Sequence, residues 1–487
     1  MAYASWIKPA SAGTLVFGGV IVGGCTVGPD YTRPDTAAEN ARYSTTLDPS
    51  TQPGPAELLG QERWWEEFAD PISTALVERA LEQNLTLRQA ALRVVQADAL
   101  RRARYGERLP FVSAGAGASA NRLPGGVNTE QYSLGLAVSW QADLVGGLRR
   151  AERAAVAELL AETQNARAVA HTLVADVLAA RVNLGTLLRQ LQLQQTIVEN
   201  RRQTLEIVRR RYEQGAGGVS VTDLRLAQEN LAAAQSTIPT IERQLGLVRN
   251  QLAVLVNLTP AELDALPDTL DDLPSLPPLP LGIPAALLDR RPDVLAAEFR
   301  TIAANERIGV AVSDLYPDLI FSADAGYRAD DLADLIDADS FVANLAGDLL
   351  VRLFEGGRLR ANVDAAEAVY GQQALEYASV VLRAIREVED ALLRQRTLLR
   401  ELDLLVLRVE EARAAEQSAR ERYQRGLESL LQVLEAERRR NIAETELIRS
   451  RGELWQSRID LVLALGGDWQ TMPLRSIEAN ELTDVNP

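Results

Sequence analysis

The sequence predicts an α+β membrane protein in which four transmembrane β-strands per chain are continued by long α-helices of coiled-coil type. Three observations carry this reading. Four stretches alternate apolar with small or polar residues, the mark of strands with one greasy face. Two very long proline-free stretches repeat apolar residues at sevens, the mark of coiled-coil packing. The whole arrangement occurs twice, with a period of roughly 210 residues.

The chain has 487 residues, enough for roughly two or three domains. Hydrophobic residues make up 47% but aromatic residues only 5%, which favours Ala- and Leu-rich helices over an aromatic-rich core. A net charge of −16 repels phosphates and excludes nucleic acid as a partner. The single cysteine, Cys25, excludes an intrachain disulfide framework and a cysteine-based zinc site.

Residues 1–24 read as a lipoprotein signal peptide. Lys8 precedes a small, apolar run from Ala10 to Val22, too short to span a bilayer. Val22-Gly23-Gly24-Cys25 resembles a lipobox, after which Cys25 becomes the lipidated first residue. That covalent lipid is the only attached group expected; no cofactor and no metal is predicted. Thr26, where an Asp would retain the protein at the inner membrane, points outward. Residues 25–62 are rich in Pro, Gly, Asp and Thr and read as an extended, lipid-anchored segment.

The first repeat is placed at 63–258. A helical segment starts near Trp64-Trp65-Glu66-Glu67-Phe68. Asp70 and Pro71 suit the cap and first turn of a helix running to about Leu109. Strands are expected at 110–121 and 130–142. In the second, Tyr132, Leu134, Leu136, Val138 and Trp140 share one face, and Ser133, Gly135, Ala137 and Ser139 the other. After Gly146-Gly147 comes a helix of roughly 65 residues, about 100 Å at the α-helical rise. Val177, Leu184, Leu191, Val198, Leu205 and Tyr212 recur at sevens along it. His171 within it reads as a packing residue. The tip is Tyr212-Glu213-Gln214-Gly215, and Pro239 should bend the returning helix.

A Pro- and Asp-rich linker is placed at 259–284, and the second repeat at 285–466. Arg290-Arg291-Pro292-Asp293-Val294 opens a helix, and the spacing from Arg291 to Pro317 equals that from Asn84 to Pro110. Strands follow at 317–328 and 340–354. Ser322, Asp324 and Gly326 lie opposite Leu319, Phe321, Ala323, Ala325 and Tyr327; Asn344 and Asp348 lie opposite Phe341, Ala343, Leu345 and Leu349. Gly356-Gly357 echoes Gly146-Gly147. Ile385, Leu392, Leu399 and Val406 repeat the sevens up to a second tip, Tyr423-Gln424-Arg425-Gly426. Residues 467–487 form a C-terminal tail.

The strands decide the class. One face is apolar with no layer in the sequence to cover it, and the other carries Ser133, Ser139, Asp324, Asn344 and Asp348. That pattern suits a barrel with lipid outside and water inside, those five residues facing the lumen. Four strands cannot close a barrel, since the smallest have about eight, and open edges are not tolerated in lipid. Three copies would supply about twelve strands around a water-filled lumen.

Several motifs occur together and in order: Val27-Gly28-Pro29-Asp30-Tyr31 after Cys25, Trp64-Trp65 with Phe68 and Asp70-Pro71, Arg290-Arg291-Pro292-Asp293-Val294, and the two Tyr-x-x-Gly tips. Together they resemble the outer membrane factor lipoproteins, the TolC-like family of OprM/NodT type, over nearly the whole chain after Cys25. The resemblance implies a TolC-like homotrimer in the outer membrane, with a twelve-stranded barrel on an α-helical tunnel extending into the periplasm. It also implies docking with a periplasmic adaptor and an inner membrane pump, here of resistance-nodulation-division type, and passive exit of drugs or other small solutes. Tyr212, Gly215, Tyr423 and Gly426 then belong to tips that dock the adaptor. The family's periplasmic gate resembles Leu-x-x-Leu-Asp-Ala-Gln-Arg; Leu431 would form the constriction, Glu435 an acidic ring and Arg438 its partner. An acidic ring favours cations. Glu435 for Asp, Glu437 for Gln and the lengthening Gly217-Gly218 depart from the pattern.

Two other readings fit the same residues: the exit duct of a type I protein-secretion system, and a lipid-anchored periplasmic scaffold with no pore. An enzyme is disfavoured, because the sequence has no nucleophile constellation, metal-ligand spacing or phosphate loop.

Overall fold

The computed structural model describes residues 26–35, 63–68, 70–122, 124–125, 128–215, 219–263 and 290–466. The signal peptide with Cys25, Gly217-Gly218, most of the linker and the C-terminal tail therefore lie outside the described residues. The chain divides into two compact units.

The first unit takes in the described residues of Met1–Pro29, Tyr105–Ala151 and Arg307–Val363. Its centre is one antiparallel sheet in sequence order, β1 (Phe111–Arg122), β2 (Asn128–Ala142), β3 (Asp318–Ala329) and β4 (Phe341–Leu350). The two hairpins come from the two repeats, and β2 pairs with β3 across them. The register keeps the alternation intact across all four strands. Leu136 lies between Ala114 and Ala325, and Gly135 lies between Gly115 and Gly326. A Cβ on Gly326 would stand 2.3 Å from the Leu134 carbonyl oxygen, so these strands approach closely only because glycines face each other. β4 ends at Leu350, short of the expected 354. Its partner β3 begins at Asp318, directly after Pro317, which has no N–H for the ladder. Arg352 instead donates to the Asp314 carbonyl at 3.2 Å and pairs with Asp318.

The turn from β2 into α3 (Gly147–Glu213) is built in the same unit. Asp143 accepts from the N–H groups of Leu148 and Arg149, at 3.1 and 3.0 Å, and caps the helix. The buried side chain of Arg150 donates to the carbonyls of Val27 and Gly28, at 3.2 and 3.3 Å. This ties the Val27-Gly28-Pro29 motif to the junction.

The second unit takes in the described residues of Asp30–Arg104, Glu152–Glu306 and Asp364–Pro487. The single helix expected after Asp70 is two, α1 (Pro71–Gln83) and α2 (Leu85–Gly106), broken at Asn84. The buried Asn84 side chain accepts from the Leu87 N–H at 3.0 Å and donates to the Leu255 carbonyl at 2.9 Å, an arrangement that replaces a continuous helix. The remaining elements are α4 (Val221–Leu255), one turn at Pro260–Leu263, α5 (Pro292–Ser313), α6 (Arg358–Gln424) and α7 (Leu430–Ala464). Pro239 lies inside an α4 that continues through it. Trp64, Trp65 and Phe68 join Val77 and Ala80 of α1, Val174 and Leu178 of α3, Leu252 of α4 and Ile459 of α7 in one core. Phe68 packs on Trp455 at 4.3 Å. The Arg-Arg-Pro-Asp motif acts through Arg291. It donates to the Ala464 carbonyl at 2.9 Å, at the end of α7, and to Glu387 of α6 at 2.6 Å.

Along α3 the expected sevens point inward at Val177, Leu184 and Val198, and outward at Tyr212. Along α6 the expectation fails after Leu392: Leu399 and Val406 are exposed. Two rows at sevens are buried instead: Ala384, Ala391, Leu398 and Leu405, and beside them Val388, Gln395, Val409, Glu416 and Tyr423, with Leu402 half-buried between. The second row contains two polar residues, so an apolar search does not pick it out.

His171 is buried, as a packing residue would be. Its burial, with the positive charges of Arg167 and Arg291, pushes its pKa down to about 3. Below about pH 6.5 the unfolded chain takes up a proton that the folded chain refuses, so stability present above that pH is lost as pH falls towards 3. A His171→Gln chain is expected to lose less melting temperature than the wild type between about pH 7 and about pH 5, checked by thermal unfolding in detergent. Gly326→Val is expected to cut the yield of folded protein in the outer membrane severalfold, whereas Gly115→Ala, which meets nothing within 4 Å, leaves it unchanged.

Candidate functional site

The strand face comes first. Ser133, Ser139, Asp324, Asn344 and Asp348 all fall on one side of the sheet by register. Ser139 stands opposite Ser322, and Asp324 stands between Ala137 and Asn344. The Asn344 amide donates to the Asp324 carboxylate at 3.0 Å. Four glycines (Gly115, Gly117, Gly135 and Gly326) share this side, which keeps it open as well as polar. The reverse side carries Tyr132, Leu134, Leu136, Trp140, Phe321, Tyr327, Phe341, Leu345 and Leu349. Leu345 is 82% exposed and Leu349 62%. Trp140 stacks on Phe321 at 5.8 Å, and Tyr327 meets Phe341 edge-on at 5.7 Å.

The two tips close in the same way. At the first, the Gly215 N–H donates to the Tyr212 carbonyl at 3.1 Å, with Gly215 at φ 62°. At the second, Gly426 donates to the Tyr423 carbonyl at 2.9 Å, with φ 74°. Such positive φ angles favour glycine and end a helix. Each returning helix starts on a serine cap: Ser220 accepts from the Asp223 N–H at 3.2 Å and Ser429 from the Gln432 N–H at 3.4 Å. Tyr212 is exposed and able to meet a partner. Tyr423 is not; it is buried with Val208, Leu430, Val433 and Leu434. Arg211 covers its ring at 4.6 Å and donates to the carbonyls of Tyr423 and Gln424, at 3.4 and 3.1 Å. Of the expected tip residues, Tyr423 is thus an anchor beneath the surface rather than part of a docking face.

Beyond the second tip, Leu431 is exposed. Glu435 accepts from Arg438 through both oxygens, at 2.8 and 2.9 Å, and from Arg439 at 2.8 Å. The Arg438 hydrogen bonds first, and then the Arg439 one, hold the Glu435 carboxyl down to about 2. The sequence reading matched Glu435 to Arg438 alone. Arg439 makes it two guanidiniums to one carboxylate, so the group is net positive where an acidic ring was expected.

A family model described as "outer membrane efflux protein" matches residues 76–258 and 283–467. The chain belongs to that family. The toluene efflux pump outer membrane protein TtgF of Pseudomonas putida is 31% identical, covering 94% of this chain and 97% of the relative. The outer membrane protein OprJ of Pseudomonas aeruginosa is 30% identical, covering 95% and 97%. The solved outer-membrane channel OprN superposes with a TM-score of 0.86 at 30% identity, over 92% of this chain and all of that one. The fold is TolC-like, and the protein is an outer membrane exit duct for efflux. Among the described residues no group of His, Cys, Asp and Glu is arranged to hold a metal ion, and no helix is long and apolar enough to cross a membrane.

In this efflux protein the charges around Glu437 have an unexpected organisation. Glu437, read from the sequence as a departure from the family pattern, is buried. It pairs with Arg201 of α3 and, at 3.1 Å, with Arg420 of α6. Arg420 also reaches Glu416 at 2.9 Å, Glu416 pairs with Arg440 at 2.6 Å, and Glu444 accepts from Arg413 at 2.7 Å. A ladder of alternating charges therefore laces α6 to α7, with one rung on α3. The signal was present: Glu437 lies seven residues past Leu430 and four past Val433, on the face those residues bury. Glu437→Leu alone is expected to destabilise the fold by about 3–5 kcal/mol, and Glu437→Leu with Arg201→Met by much less, measured by denaturant unfolding in detergent.

Proposed function

We propose that the chain works as a homotrimer whose four-stranded sheets close into one barrel of about twelve strands. The observation that carries this is a sheet with one side apolar except for Arg122, Asn128 and Glu130 at the end of the first hairpin, one open polar side, and β1 and β4 each paired along one edge only. Ser133, Ser139, Asp324, Asn344 and Asp348 then line the lumen. Cys25 carries the lipid that adds to the anchor, at about 0.8 kcal/mol per buried methylene. The periplasmic tips meet an adaptor, with Gly215 and Gly426 on the contacting side, and the adaptor links them to an inner membrane pump of resistance-nodulation-division type. The chain itself catalyses no reaction. Drugs or other small solutes pass down their gradient, and the pump supplies the energy.

Leu431, Glu435 and Arg438 form the gate at the second tips. The two arginines around each Glu435 cancel the repulsion between carboxylates that a narrow ring would otherwise suffer. Parting the hairpins separates the Leu431 side chains and opens the aperture.

Purified protein is expected to have the mass of a trimer in detergent and to conduct in planar bilayers. Glu435→Ser with Arg438→Ser is expected to raise single-channel conductance. A protein that does not conduct at all refutes the duct, and a double variant with unchanged conductance refutes the gate.

A further inference from the structure

The internal repeat relates the two tips residue by residue. Arg211-Tyr212-Glu213-Gln214-Gly215 corresponds to Arg422-Tyr423-Gln424-Arg425-Gly426. The backbone follows the sequence, with the same glycine turn, the same Gly-to-Tyr carbonyl hydrogen bond and the same serine cap on the returning helix. Two hairpins of one shape side by side should make reciprocal contacts. Within one chain only one of the pair is made: Arg211 of the first tip lies over Tyr423 of the second and binds the last carbonyls of α6.

The counterpart residues are left over. Tyr212 is 42% exposed. Arg422 has a side chain 58% exposed and reaches Glu428 of its own tip, at 3.3 Å. We propose that Arg422 of one copy stacks on Tyr212 of the next copy and donates to the Tyr212 and Glu213 carbonyls at the end of its α3. The inference rests on the trimer reading. In a closed ring, first and second hairpins alternate, so each second hairpin meets the first hairpin of the next copy on the side that carries Arg422. The end of a helix offers carbonyls without intrahelical partners, and a planar guanidinium can serve two of them while lying on a ring. Glu213, standing where the other site has Gln424, adds a carboxylate that suits an arginine.

The two seams are nevertheless unequal. The seam within a chain also holds the buried Arg201–Glu437 pair. At the positions related by the repeat stand Ala412 and Gln228, which form no ion pair. Near the tips the seam between copies therefore depends on the Arg422 clasp, and it is the seam that parts first when the mouth opens.

The test is a chain carrying Tyr212→Cys and Arg422→Cys, treated in its assembled form with a short bismaleimide. Covalent dimers and trimers are expected on denaturing gels, with monomer only from each single variant, which also controls for Cys25. In bilayers, Tyr212→Ala and Arg422→Ala are expected to raise closed-state conductance about two- to five-fold, the range for losing a cation–π contact at an exposed site. Tyr212→Phe, which keeps the ring, leaves it unchanged. If the untreated protein has trimer mass but the double variant gives no linked species, the clasp is refuted and the trimer stands. A monomeric wild type refutes both.

Discussion

Hydrocarbon leaves no backbone hydrogen-bonding group without a partner, and that constraint shapes the sheet. Water can satisfy an exposed edge; lipid cannot, and each unpaired N–H or C=O there costs several kcal/mol. In this chain β1 and β4 each pair along one side. The apolar side, from Leu134 through Phe321 to Leu345, has no layer over it among the described residues. A sheet of this kind is incomplete on its own. The same constraint accounts for the strict alternation, since a one-residue slip would turn Asp324 and Asp348 towards lipid. It accounts too for the glycine pair Gly135–Gly326, which lets the strands close up without a side chain between them.

The helices answer a different problem. Two helices of 67 residues and two of 35 need their register held over many turns, and apolar sevens alone permit sliding. Charge supplies the register. Lys8 is the only lysine in the chain, so every cation in the described helices is an arginine, whose planar fork binds carboxylates and helix-end carbonyls in a set geometry. Arg291 joins the end of α7 to Glu387, Arg211 joins α3 to the end of α6, and Arg420 bridges Glu416 to Glu437. A buried ion pair adds little net stability compared with an apolar contact. Its value here is that a shifted register would leave the charges buried and unpaired.

Much of this was legible in the chain. Alternation is a local property, so the strands were readable from 110, 130, 317 and 340, within two residues of the observed starts at Phe111, Asn128, Asp318 and Phe341, with the named residues on the expected faces. Glycine at Gly215 and Gly426 marked the tips because few other residues tolerate that φ. Three things were not legible. The break at Asn84 depends on the Leu255 carbonyl, far away in sequence. The early end of β4 depends on where its partner strand starts. One buried row of α6 includes Gln395 and Glu416, which look like surface residues until their surroundings are known.

The sequence by itself determined the repeat, the strand faces, the tips and the family, because each depends on periodicity or on residue types at short range. Only the tertiary structure decided which charges are buried. Glu435 and Glu437 are two residues apart with nearly the same chemistry. One turns outward to Arg438 and Arg439, and the other turns inward to Arg201 and Arg420. The helix places neighbours two apart on opposite faces, and which face is inside is set by the helices packed against it.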